Sequence, residues 1–127
     1  MKKITYLFIA LIFTGLIISC ESTKVIPENA TAAQIIQMGQ NAYSSGHYTE
    51  SEECYKTVIE RFGDNPTTYI EAKYELGHIY AKTKQYDKAK DCFNEILELY
   101  SLDSTGKLPG TYKKLSQLGL SQIQENK

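Results

Sequence analysis

From residue 31 onward, apolar side chains return every three or four positions. Ile35, Met38, Ala42 and Tyr43 form one stripe, and Tyr55, Val58, Ile59 and Phe62 form another after a polar break. This is the period of an α-helix with one buried face. The breaks at Ser45-Gly46-His47 and Thr83-Lys84-Gln85 are short, so the helices they join must run antiparallel. The spacing predicts helices over about 32–45, 49–62, 68–83, 87–100 and 110–125, and no strand, so the fold class is all-α. Thr31-x-x-Gln34, Thr49-x-x-Glu52 and Thr68-x-x-Glu71 each have the form of a capping box, in which hydroxyl and later side chain satisfy open amides at a helix start. Pro66 stops one helix and holds Asn65 away from helical geometry.

The pattern repeats. A shift of 38 residues pairs Gly39 with Gly77, Tyr48 with Tyr86, Cys54 with Cys92 and Glu60 with Glu98, and aligns Tyr55 with Phe93 and Phe62 with Tyr100. A glycine inside a helix costs about 1 kcal/mol against alanine, so two in the same phase need a packing reason. Gly39 and Gly77 are expected to admit a second helix closely, with Ser51 and Ala89 as small partners and Tyr55 and Phe93 filling the space between units. Residues 110–125 carry Leu118-Gly119 in the same phase as Leu76-Gly77 but no second helix, and read as a capping helix. The link 101–109, with Gly106 and Pro109, is expected to be mobile.

These residues resemble the tetratricopeptide repeat. One unit (about 32–66) shows Ile35, Met38-Gly39, Ala42, Ser51, Tyr55 and Val58; the next (about 68–104) shows Lys73, Leu76-Gly77, Tyr80, Ala89, Phe93 and Ile96. The resemblance implies an α-solenoid of two helix-turn-helix units closed by the capping helix, together spanning 31–127. The 38-residue spacing exceeds the 34 usual for the repeat. The longer link is similar to that of periplasmic and outer-membrane repeat proteins, including the lipoprotein subunit of the barrel-assembly machinery.

The start of the chain has a different character. Residues 4–18 are a continuous uncharged run after Lys2 and Lys3, shorter than the roughly 20 residues of a permanent span and built like a secretory signal. Ile17-Ile18-Ser19-Cys20 resembles the bacterial lipobox, which implies cleavage after residue 19 and diacylglycerol and acyl lipid on Cys20. Such lipid holds a small protein on a membrane at about 0.8 kcal/mol per buried methylene. Glu21, not Asp, follows the cysteine, which favours an outer-membrane address facing the periplasm. The polar stretch 20–30 reads as lipidated Cys20 and a flexible tether.

Charge and chemistry narrow the function. The 127 residues carry 14 basic and 15 acidic side chains; without residues 1–19 the balance is 12 to 15, with no basic stripe for nucleic acid. No metal-ligand spacing, phosphate loop or nucleophile elbow occurs, so neither an enzyme nor a cofactor beyond the Cys20 lipid is expected. Cys54 and Cys92 lie on equivalent helices of adjacent units, whose axes should stand about 8–10 Å apart or more, whereas a disulfide needs Cα atoms within about 7 Å. Buried packing is expected, with a disulfide and a metal or reactive role as the alternatives.

The resemblance places a binding surface on the concave side, lined by first helices. The matching positions are Ile36, Gln40 and Tyr43 with Ala33 and Ser44, then Glu71, Tyr74, His78 and Lys82 with Ala81, and Leu120 with Ser116 and Ile123 from the last helix. Large aromatic and aliphatic residues where solvated polar ones would serve are what protein interfaces use; the alternative is packing against the last helix or a second copy. The expected function is a membrane-anchored adaptor or accessory subunit of the bacterial envelope, bound to an envelope protein or peptide. The rivals are a periplasmic small-ligand binder associated with a transporter, and a self-associating module, possible as a homodimer because two units leave much apolar edge.

Overall fold

A computed structural model describes residues 25–126. Its helices are α1 (Ala32–Ser44), α2 (Tyr48–Phe62), α3 (Pro66–Lys82), α4 (Tyr86–Leu102) and α5 (Gly110–Glu125), with no strand among the described residues. Every boundary lies within two residues of its expected place. Helices α1 and α2 form one antiparallel hairpin, α3 and α4 a second, and α5 packs on the second; α3 touches each of the other four helices. Residues 1–19 and Cys20 lie outside the described residues, and so does the leader and lipid reading attached to them.

Both hairpins close with the same turn. Gly46 and Lys84, 38 residues apart, have φ of 80° and 62°. The next amide reaches back five residues, from His47 to the Ala42 carbonyl at 2.9 Å and from Gln85 to the Tyr80 carbonyl at 2.7 Å. This is the Schellman closure, and it places a non-glycine residue in left-handed geometry at Lys84.

The capping-box reading holds at one helix of three. Thr31 Oγ1 accepts from the Gln34 amide at 3.3 Å and Gln34 Oε1 accepts from the Thr31 amide at 2.8 Å. In α2 the turn fixes the start earlier, at His47, which makes no side-chain cap, and Thr49 falls inside the first turn. In α3 the cap is Asn65, whose Oδ1 accepts from the Thr68 amide at 3.0 Å, followed by Pro66 at the first helical position. A proline there has no amide to satisfy and a φ already suited to the helix, so Pro66 opens α3.

The core runs through both hairpins: Ile35, Cys54, Tyr55 and Val58, then Ala72, Leu76, Ile79, Ala89, Cys92 and Phe93, with Ile123 from α5. The two glycines are close-approach positions as expected. A Cβ on Gly39 would stand 2.9 Å from the Tyr55 ring, and one on Gly77 would stand 2.7 Å from Phe93 Cε1. Ser51 Oγ donates to the Gly39 carbonyl at 2.8 Å in the buried seam. Cys54 and Cys92 are buried and free, and burial pushes the Cys92 thiol up to about 11; the packing role is the one observed. Between the hairpins, Tyr80 Oη donates to Glu52 Oε1 at 2.8 Å, and Lys56 pairs with the same oxygen at 2.7 Å.

In α5 the Leu-Gly pair does not repeat its earlier role. Leu76 is 4% exposed but Leu118 is 53% exposed. A Cβ on Gly119 would meet Phe93 Cε2 at 2.6 Å, on the preceding hairpin. The Phe93 ring is thus held between two glycines, and that contact turns α5 away from the phase its sequence suggests. Ser116 and Ile123, expected on the concave surface, are buried as a result.

Two connecting segments are more tied down than expected. Within the tether, Ile26 packs on the core, Ala30 is buried, and Arg61 Nη1 donates to the Pro27 carbonyl at 2.8 Å; any free tether ends before this point. In the link after α4, Asp103 Oδ1 accepts from the Thr105 amide at 2.9 Å and Oδ2 from the Leu108 amide at 3.2 Å. The Tyr100 hydroxyl donates to the Pro109 carbonyl.

Candidate functional site

Positions 74, 78 and 82 follow one another at helical spacing on α3 and face the open side between α1 and α5. Tyr74 and His78 stack at 6.2 Å between ring centroids. Tyr43 of α1 reaches His78 at 5.3 Å and Tyr48 at 5.4 Å. At the other end Tyr74 meets Tyr112 of α5 at 5.5 Å and, underneath, Phe93 at 5.9 Å. The result is an unbroken path of rings, Tyr48–Tyr43–His78–Tyr74–Tyr112, crossing all three first helices. Beyond Tyr74 lies a crevice of about 390 Å³ between α3 and α5, lined by His78, Lys82, Tyr86, Leu115, Leu118 and Gln122 among others.

Electrostatics along the path come from α3. Burial, reinforced by Glu71, raises the Glu75 carboxyl above the ordinary range. Burial also raises the Tyr43 and Tyr74 hydroxyls, with Glu75 contributing to both. Tyr112 is pushed up to about 12 by burial and then by Glu71 and Glu75. His78 is lowered by burial and by Lys82.

Of the expected site residues, Tyr43, Tyr74 and His78 are brought into ring contact. Lys82 is exposed at the rim of the crevice and Glu71 is half-buried beside the path. Gln40 is exposed, and its carbonyl accepts from Ser44 Oγ at 2.9 Å. Ile36 and Leu120 are half-buried against the core, where they brace the surface. Tyr112, Glu75 and Tyr86 were not anticipated. Glu75 lies one turn after Glu71, a spacing visible in the sequence; Tyr112 depends on where the 103–109 link sets α5 down. Among the described residues, no group of three or more His, Cys, Asp or Glu side chains could hold a metal ion, and no helix is long and apolar enough to cross a membrane.

The hairpin pairing, glycine seams and concave ring path bring the chain to a known repeat. Residues 70–101 match the tetratricopeptide repeat. The matched stretch is the α3–α4 hairpin, the one that carries Tyr74, His78 and Lys82. An uncharacterized protein of Treponema pallidum (strain Nichols) is 32% identical over 117 residues, 90% of this chain and 47% of its own length. Response regulator aspartate phosphatase J of Bacillus subtilis (strain 168) is 36% identical over 64 residues, 50% of this chain and 17% of that protein. The chain therefore spans less than half the length of these curated relatives. No solved structure matches.

Proposed function

We propose that this chain is a lipid-anchored adaptor of the bacterial cell envelope whose concave tetratricopeptide surface holds a segment of another protein. The observation that carries the reading is the ring path across α1, α3 and α5, which presents aromatic anchors with polar neighbours on one face. The anchor would be lipid on Cys20 in an outer-membrane leaflet facing the periplasm, and two acyl signals on one residue suffice for stable attachment. Confining the surface to one membrane raises the local concentration of partners there.

A photo-crosslinking residue at position 74, with position 53 on the exposed outer face of α2 as control, tests the adaptor role in cells. A discrete protein adduct from 74 and none from 53 is expected; adducts only with the chain itself would replace the adaptor by a self-associating module. Labelling with an alkynyl fatty acid tests the anchor. The wild-type chain should take the label and Cys20→Ala should not. The crevice between α3 and α5 favours one second reading, a small ligand, since about 390 Å³ is in the range of ligand sites. Under that reading a small-molecule extract raises Tm by several degrees.

A further inference from the structure

At the tyrosines of the concave surface the field has one sign, while Lys82 acts on His78 at the rim. Glu71 and Glu75 stand one turn apart on α3, and Glu75 acts on the hydroxyls of Tyr43, Tyr55, Tyr74 and Tyr112. No lysine or arginine offsets it at any of these four rings. Two other half-buried carboxylates are paired with lysines: Glu52 has Lys56 at 2.7 Å, and Glu95 has Lys73 at 2.9 Å with the Tyr69 hydroxyl donating to it. Among the described residues neither Glu71 nor Glu75 has a lysine or arginine partner. His78 Nδ1 stands 4.0 Å from Glu75 Oε2, too far for a hydrogen bond.

A half-buried carboxylate without a cation is costly, and a ligand that brings the cation recovers that cost on binding. The tyrosines around it offer ring faces, which attract a cation and favour the planar guanidinium over the compact ammonium. Resting on the adaptor reading, we propose that the segment seated in this groove is basic, with an arginine side chain stacked on the Tyr43–Tyr74–Tyr112 path and its charge at Glu71 and Glu75. The occupant is identified by charge complementarity: a neutral segment would leave both carboxylates unpaired, and an acidic one would pay repulsion besides.

The test uses the full chain and three short fluorescent peptides in one Gly/Ser background, carrying arginine, its neutral isostere citrulline, or glutamate. Fluorescence anisotropy should show the arginine peptide binding about tenfold more tightly than the citrulline peptide, the glutamate peptide not binding, and the preference shrinking as salt rises. In the Glu71→Gln/Glu75→Gln double variant the preference should vanish while Tm stays level or rises, because glutamine keeps the shape and removes like-charge repulsion. Equal binding of arginine and citrulline peptides, or a preference that survives in the double variant, overturns the inference. A cellular adduct from position 74 alongside that negative result would leave the adaptor standing with a partner that is not basic.

Discussion

Phe93 is gripped from two sides, and that makes the effect of one methyl group predictable in sign. A Cβ at position 77 would lie 2.7 Å from Phe93 Cε1 and 3.1 Å from Cys92 Cβ. The ring cannot retreat, because Gly119 already touches its far edge, where a Cβ would stand at 2.6 Å. Gly77→Ala should therefore incur an overpacking cost of about 1–3 kcal/mol, against a helix-propensity gain of about 1 kcal/mol. The expected net is a loss of about 1 kcal/mol, or roughly 4–8 °C in Tm for a domain of this size. With Phe93→Leu in place the ring edge is gone, and the same Gly77→Ala change should become neutral or stabilising by up to about 1 kcal/mol. Urea unfolding followed by circular dichroism, on the two singles and the double, gives the coupling directly. Gly110→Ala, with nothing within 4 Å of the added Cβ, is the control and should not lower stability. If Gly77→Ala costs the same in both backgrounds, the ring is not the wedge and the pairing of α3, α4 and α5 described above is wrong.

Three further outcomes follow from the caps, the groove and the core. Asn65→Ala should cost about 1 kcal/mol through loss of the α3 cap, while Thr49→Ala, a residue inside α2, should change Tm little. Glu75→Gln should raise Tm by a few degrees at pH 7: a carboxyl whose folded pKa is raised lowers stability wherever it is ionised, so the gain should fade as pH falls toward 4, and a gain constant with pH would refute the assignment. The Ser116 hydroxyl is wholly buried with no hydrogen-bond partner among the described residues, so Ser116→Ala should stabilise by about 1 kcal/mol in the same urea assay.

The helices, their turns and the glycine seams were legible in the sequence because each rests on local spacing. Ile35, Val58, Leu76 and Ile96 are buried where a 3.6-residue period puts them. What escaped the sequence was either overridden by an adjacent turn or depends on distant chain. Thr49 and Thr68 look like caps, yet the Schellman turn and Asn65-Pro66 had already set where α2 and α3 begin. Gly119 follows Gly77 by 42 residues instead of 38, and only the Phe93 contact reveals which face of α5 turns inward. Three groove residues, Tyr43, Tyr74 and His78, could be placed by register. Glu75 could not, because the rings it acts on come from four different helices, and a charged residue on an open helix face reads as solvated.

That α3 touches every other helix has a consequence for the order in which the molecule loosens. In a chain of nearest-neighbour contacts the terminal elements open first and the most connected one last. Amides in the middle of α3 should thus exchange most slowly with solvent, after those of α1 and α5 have gone. Glu71, Tyr74, Glu75 and His78 sit on that slowest segment. The groove floor therefore outlasts its own walls: brief opening of α1 or α5 bares Tyr74 and the two carboxylates without dissolving them, giving a partner segment a way in that leaves the anchoring side chains in place.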